Sequence, residues 1–189
     1  MDALALLELD SIARGYRTLD AMVKESPVTV VEANLVEPGR FLILFGGGVA
    51  EVETAYARGL EVAGEDVRDK VLLWGVHPRV WECIAGKERC GEPDAIGIVE
   101  ASSVAGTIAA GDASVKSADV ELCALRFTPG LGGKGYYVVN GLQHDVEAAV
   151  AAGTESLTAR GRLVRAEVVP RAHREFLAHV LRRAPFGAV

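Results

Sequence analysis

The sequence predicts an α+β protein of two tandem, unpermuted ferredoxin-like units, each a β-α-β-β-α-β run followed by a short helix. An internal repeat is the first observation behind this. "DAMVKESPV" (20–28) returns as "DASVKSADV" (112–120), and a shift of 92 positions matches Glu8, Ser11, Ala13, Asp20, Ala21, Val23, Lys24 and Val28 to identical residues. Two residues are then inserted in the second copy. Beyond them Gly39-Arg40 faces Gly133-Lys134, Gly47 faces Gly141, and Val52-Glu53 faces Val146-Glu147. A colinear series of this kind marks a duplicated domain. The second observation is that strand-length apolar runs alternate with helix-period ones. The duplication divides the chain into domains 1–91 and 92–189, each large enough to hold a core.

In the first copy "ALALLEL" (3–9) has the length and apolarity of a strand. Ser11 is placed to cap the next helix, whose apolar face is predicted at Ile12, Tyr16, Leu19 and Val23, and Pro27 stops it. "VTVVEANLV" (28–36) is β-branched, "EPG" (37–39) turns the chain, and "RFLILF" (40–45) returns antiparallel. Three glycines lead into a helix bearing Val49, Val52, Tyr56 and Leu60, which Gly64 ends, and "KVLLWGV" (70–76) is the fourth strand. The second copy repeats the order, with strands at 95–101, 120–127, 135–140 and 162–169 and helices at 103–117 and 142–158. "GKERCGEPD" (86–94) is polar and reads as the linker between copies.

Half of the residues are hydrophobic and 24% are charged, which is globular composition. A net charge of −6 and the lack of a basic stripe argue against nucleic acid as a partner. The first ten residues carry Asp2, Glu8 and Asp10 and nothing basic, against a secretory signal. "FLILFGGGVA" is too short and too glycine-rich to span a bilayer, so no membrane association is expected. Cys83, Cys90 and Cys123 show no zinc spacing and no disulfide framework, so reduced thiols in the cytoplasm are the expectation.

Two patterns suggest chemistry and fail on context. "GLGGKG" (130–135) matches a dinucleotide fingerprint, but "YYVV" follows it, and a strand offers no helix N-terminus to a pyrophosphate. His77, His144, His173 and His179 have no neighbouring nucleophile or carboxylate pattern, so no catalytic residue is assigned. Lys24 and Lys116 occupy one place in the two copies, as do Arg79 and Arg171 in "HPRV" and "VPRA", which points to a shared interface role.

At "LLELDSIARGYRTLDAMVKES", "GIVEASSVAGTIAAGDASVKSA" and "VVPRAH" the chain resembles the bacterial microcompartment shell proteins. It is most similar to the tandem-domain, trimer-forming class, and within that class to the propanediol-utilisation branch; "LVEPGRFLILFGG", "HPRVWECIAG" and "GLGGKGYYVVNG" carry that closer match. The resemblance implies a structural shell protein, not an enzyme, in the shell of a cytoplasmic microcompartment. Three chains would form a pseudohexagonal tile, a head-to-tail ring closed by rotation. Its partners would be itself, other hexameric and pentameric shell proteins and encapsulated enzymes.

The same resemblance assigns the residues. The loop between the second and third strands of each copy would line a central pore, giving Glu37, Pro38 and Gly39 from the first and Pro129, Gly130, Leu131, Gly132 and Gly133 from the second. Lys24, Lys116, Arg79 and Arg171 would lie on the tile edge. Propanediol-branch members hold a [4Fe-4S] cluster through a cysteine just before this Pro-Gly; here the residue is Glu37, and thiolate ligation needs sulfur, so no cofactor or metal is expected. The competing expectation is a duplicated ferredoxin-like sensor or enzyme that binds a small molecule.

Overall fold

Ala3–Leu9 forms β1, and every residue of it is buried. It is an inner strand of a four-stranded antiparallel sheet in the order β2-β3-β1-β4. Burial on both faces explains why it reads as an unbroken apolar run and not as an alternation. The computed structural model describes residues 1–92, 94–127 and 130–180. The first repeat continues with α1 (Ile12–Glu25), β2 (Thr29–Val36), β3 (Arg40–Gly47), α2 (Val49–Ala63), a 3-10 turn, β4 (Val67–Trp74) and α3 (Pro78–Ile84). The second gives β5 (Ala95–Ala101), α4 (Val104–Ser117), β6 (Glu121–Phe127), β7 (Gly135–Gly141), α5 (Gln143–Ala159), β8 (Leu163–Pro170) and α6 (Arg174–Val180), with the matching sheet order β6-β7-β5-β8.

The repeat extends to irregularities. A bulge at Val31 in β2 returns at Cys123 in β6, and a register shift between Glu8 and Leu9 returns between Glu100 and Ala101. Bulges are features of a fold and not accidents of a sequence, so their duplication is independent evidence of common architecture. The cap predicted at Ser11 forms, and its counterpart Ser103 caps α4 one residue before the helix. Ser11 Oγ accepts from Arg14 N at 3.2 Å, and Ser103 Oγ accepts from Gly106 N at 3.1 Å.

One expectation fails in an informative way. The helical period predicts a core face on α1 at Ile12, Tyr16, Leu19 and Val23, but the helix buries Gly15, Thr18 and Met22. Ile12, Tyr16 and Val23 are exposed, and only Leu19 packs on the core. The reason is close approach: a Cβ at Gly15 would sit 2.4 Å from the Phe41 ring, so the helix lies on β3 through a residue without a side chain. α2 shows a milder version, burying Val52, Ala55, Gly59 and Ala63 with Tyr56 and Leu60 half-buried and Val49 exposed.

The second core is built around Tyr137, which is fully buried. Ser114 Oγ donates to the Ala149 carbonyl at 2.7 Å and so accepts from the Tyr137 hydroxyl, also at 2.7 Å. That bond satisfies the phenol in an apolar interior, which otherwise would leave a polar group unpaired. Burial pushes the phenol's pKa up to about 12.

The chain packs as two compact units that divide between Val76 and His77. α3 therefore follows the first repeat in sequence but belongs to the second unit, where it packs on β6 and touches α4.

Candidate functional site

The two loops expected to line a pore are built differently. In the first repeat β2 ends at Val36, and Gly39 N bonds back to the Val36 carbonyl at 3.1 Å, which closes a tight turn. Glu37, Pro38 and Gly39 are exposed at its tip. The Glu37–Pro38 peptide is cis, and Gly39 has φ +92°, a conformation that suits glycine. In the second repeat Thr128 and Pro129 lie outside the described residues, and the expectation for Pro129 falls there with them. Gly130, Gly132 and Gly133 all have positive φ, and Lys134 N bonds to the Leu131 carbonyl at 3.0 Å. β7 follows directly, which removes "GLGGKG" as a phosphate cradle.

Behind each loop the repeat preserves an ion pair. Arg40 faces Glu8 at 4.0 Å and Asp10 at 3.6 Å, and its counterpart Lys134 bonds Glu100 at 2.8 Å. Glu8 and Glu100 match across the repeat, so both loops have a basic residue drawn back onto the central strand. A small cavity of about 120 Å³ opens beside the second loop, lined by Ile98, Glu100, Leu131, Lys134, Gly135 and Tyr136.

The four residues assigned to an edge fall into different surroundings. Lys24 is exposed and pairs with Asp20 at 2.6 Å. Lys116 pairs with Asp112, and that carboxylate is only 4% exposed, against 61% for Asp20. Asp112 Oδ1 also accepts from His77 N at 2.8 Å. Arg171 is exposed, with φ +48°. Arg79 differs from the expectation of a rim residue: it is 7% exposed. Its guanidinium donates to the carbonyl oxygens of Leu122 and Lys87 and to Glu82, which fastens α3 to β6. Its five donors in a rigid fork suit this multiple capture of carbonyls.

Sequence reasoning missed a thiol pair. Cys90 and Cys123 are 33 positions apart in the chain, and their sulfurs lie 2.7 Å from each other. No spacing rule could have found them, because the bulge at Cys123 and the path of the inter-repeat segment bring them together. His77 caps α3, its Nδ1 accepting from Arg79 N at 3.3 Å, and His173 does the same before α6 for Glu175 N. Among the described residues no three His, Cys, Asp or Glu side chains are grouped to hold a metal, and no helix is long and apolar enough to cross a membrane.

Two four-stranded sheets of the same strand order, each with an ion pair behind its hairpin, define a duplicated α+β protein. The BMC domain matches twice, over residues 3–80 and 95–172, and the chain belongs to that family, the bacterial microcompartment shell proteins. It is 40% identical over 171 residues to the bacterial microcompartment shell protein PduT of Citrobacter freundii, covering 90% of this chain and 93% of that one. A microcompartment protein from Desulfitobacterium hafniense DCB has a crystal structure that superposes with a TM-score of 0.82 at 36% identity, covering 94% of this chain and 99% of that one. The fused permuted hexameric shell protein from the RMM microcompartment shares the fold, with a TM-score of 0.63 at 18% identity over 83% and 84% of the two chains. The protein is thus a structural component of a microcompartment shell, and shell proteins of this family assemble into oligomeric tiles. The reading as a small-molecule sensor or enzyme has no observation in its favour.

Proposed function

We propose that three copies of the chain close a pseudohexagonal tile, with the β2–β3 and β6–β7 loops around a central pore for metabolites. One observation carries this reading: the first repeat leaves open a face that the second repeat covers. In the second unit α3 lies on β6 at Leu122 and reaches α4 at Asp112, with Arg79 and Cys83 both directed at the Leu122 carbonyl. The matching first-repeat residues are Val30 and Asp20, and both are exposed, together with Ile12, Tyr16, Val23 and Val31. These exposed apolar side chains on α1 and β2 supply candidate contacts for a neighbouring chain. Arg171 is the counterpart of Arg79, and it is exposed where Arg79 is buried. In the proposed ring the open face of one chain is covered by the neighbouring chain, as α3 covers β6 within the second unit. Such a head-to-tail contact closes into a ring.

In this arrangement Lys24, Lys116 and Arg171 stand on the tile edge. Arg79 supports that geometry from inside by holding α3. Glu37 would ring the axis once per chain and make the constriction acidic, which favours neutral and cationic metabolites over anions. Its carboxylate oxygens do not suit an iron–sulfur cluster, and the cysteines lie on α3, the inter-repeat segment and β6, none of them in the β2–β3 loop. Light scattering tests the assembly. The expected mass is about three times the 20.0 kDa chain, and a stable monomer or dimer at micromolar concentration overturns the ring.

A further inference from the structure

Cys123 occupies the bulge of β6, and the first repeat has Val31 in the same bulge. Val31 is 36% exposed, whereas Cys123 is fully buried, so the thiol is set into surroundings the first repeat lacks. Cys90 lies in the segment between repeats, in front of β6. That segment is pinned on both sides of it. Arg89 N bonds the Cys123 carbonyl at 3.1 Å, Arg89 Nε bonds Glu121 at 2.8 Å, and Gly91 N bonds the same carboxylate at 3.1 Å. Asn140 Nδ2 donates to Cys90 Sγ at 3.2 Å and to the Gly91 carbonyl at 3.4 Å. Glu88 adds a two-point pair with Arg126 at 2.9 and 2.7 Å. Neither thiol is in a disulfide, and their sulfurs are 2.7 Å apart, against about 2.05 Å for a covalent S–S bond, so the gap to be closed is under about 1 Å.

We propose that Cys90 and Cys123 form a reversible dithiol–disulfide site that takes low-molecular-weight disulfides of the glutathione class as oxidant and, once closed, fastens the inter-repeat segment to β6.

The two sulfurs differ in the way such a site needs. Cys90 is half-buried and reachable, whereas Cys123 is fully buried. The Cys123 S–H donates to Cys90 and lowers its pKa; Asn140 adds to this, while burial and the Glu121 charge oppose it. The same hydrogen bond and burial push the Cys123 thiol up. Cys90 thus attacks and Cys123 resolves. The Cys90 thiolate attacks one sulfur of the small disulfide, whose S–S bond breaks and releases one thiolate. That thiolate takes the Cys123 proton. The Cys123 sulfur then attacks Cys90 in the mixed disulfide, and the second small thiolate leaves and takes up the proton that Cys90 gave to solvent. Two protein thiols become one disulfide, and one small disulfide becomes two thiols. Cys83 is an internal control, because it is buried on α3, its sulfur faces the Leu122 carbonyl, and burial pushes its thiol up.

The test equilibrates the full-length chain with reduced and oxidised glutathione, then labels thiols after denaturation. Oxidation is expected to lower the intact mass by about 2 Da. It should also cut labelling from three thiols per chain to one and give a Cys90–Cys123 cross-linked peptide. Cys123→Ser removes the resolving thiol with a side chain of nearly the same size, and it should instead trap glutathione on Cys90. Tryptic cleavage after Lys87 and Arg89 in the native protein should slow at least tenfold in the closed form and recover on reduction. Three titratable thiols in excess oxidised glutathione, or a glutathione adduct on wild-type Cys90 with no cross-link, overturns the site. Cleavage at an unchanged rate in the cross-linked chain overturns the fastening.

Discussion

Val30 and Leu122 hold the same register position in two sheets of the same topology, yet Val30 is 37% exposed and Leu122 is fully buried. The same contrast runs along the neighbouring helices. Ile12, Tyr16 and Val23 face outward on α1, while their counterparts Val104, Ile108 and Val115 are buried on α4. Asp20 and Asp112 repeat it for a charged residue. Duplication copies the local chemistry of a surface, but what covers that surface depends on the segment that reaches it. At Leu122 and Asp112 that segment is α3.

The strongest way to break the comparison is to place one charge at both positions. Leu122→Glu buries a carboxylate without a partner and should cost more than about 4 kcal/mol, enough to unfold the second unit in a denaturant titration. Val30→Glu should leave the chain folded with an unchanged unfolding midpoint and reduce its scattering mass to that of a single chain. If both variants remain assembled, the open face is not the contact.

Next in size is a pair of matched glycines. A Cβ added at Gly153 would lie within 1.8 Å of the Tyr137 hydroxyl, and one added at Gly59 would lie 2.7 Å from the Met22 sulfur and 2.8 Å from Leu7. The Tyr137 ring is held by Ser114, whereas the Met22 thioether can yield. Gly153→Ala should cost about 2–4 kcal/mol and Gly59→Ala about 1–2 kcal/mol, read from urea midpoints. Equal costs would mean that the second core relaxes as readily as the first.

Alkaline pH separates the repeats by chemistry, since Ile43 stands in the first where Tyr137 stands in the second. The folded phenol has its pKa raised to about 12, while an unfolded tyrosine titrates near 10. The native state holds its proton more tightly, so this stabilisation is complete below about pH 10 and is lost as pH rises toward 12, by roughly 2–3 kcal/mol. Unfolding free energies measured across that window should fall for the wild type and fall less for Tyr137→Phe. Parallel curves would count against it.

The smallest expected effect concerns the loops. Glu37→Gln removes a charge that the second loop does not carry, and anion flux through reconstituted shells should rise a few-fold with neutral solutes unchanged. Unaltered anion flux would leave the first loop without a gating part.

Much of this architecture is legible in the amino-acid sequence. The repeat sets the element order, the serine cap at Ser11 forms as expected, and the family motifs lead to the shell role that the BMC matches show. The helical period on α1 also finds a genuine stripe, but Ile12, Tyr16 and Val23 of it face outward, because the core contact is made by Gly15, Thr18 and Met22 with Leu19, and Gly15 and Thr18 carry little apolar signal. Three features come only from tertiary structure: the docking of α3 into the second unit, the burial of Arg79, and the meeting of Cys90 with Cys123. Their common reason is that periodicity and caps are local, set by neighbours a few residues away. Which of two equivalent faces is covered, and which thiols meet, depends on residues dozens of positions apart that only the folded chain brings together.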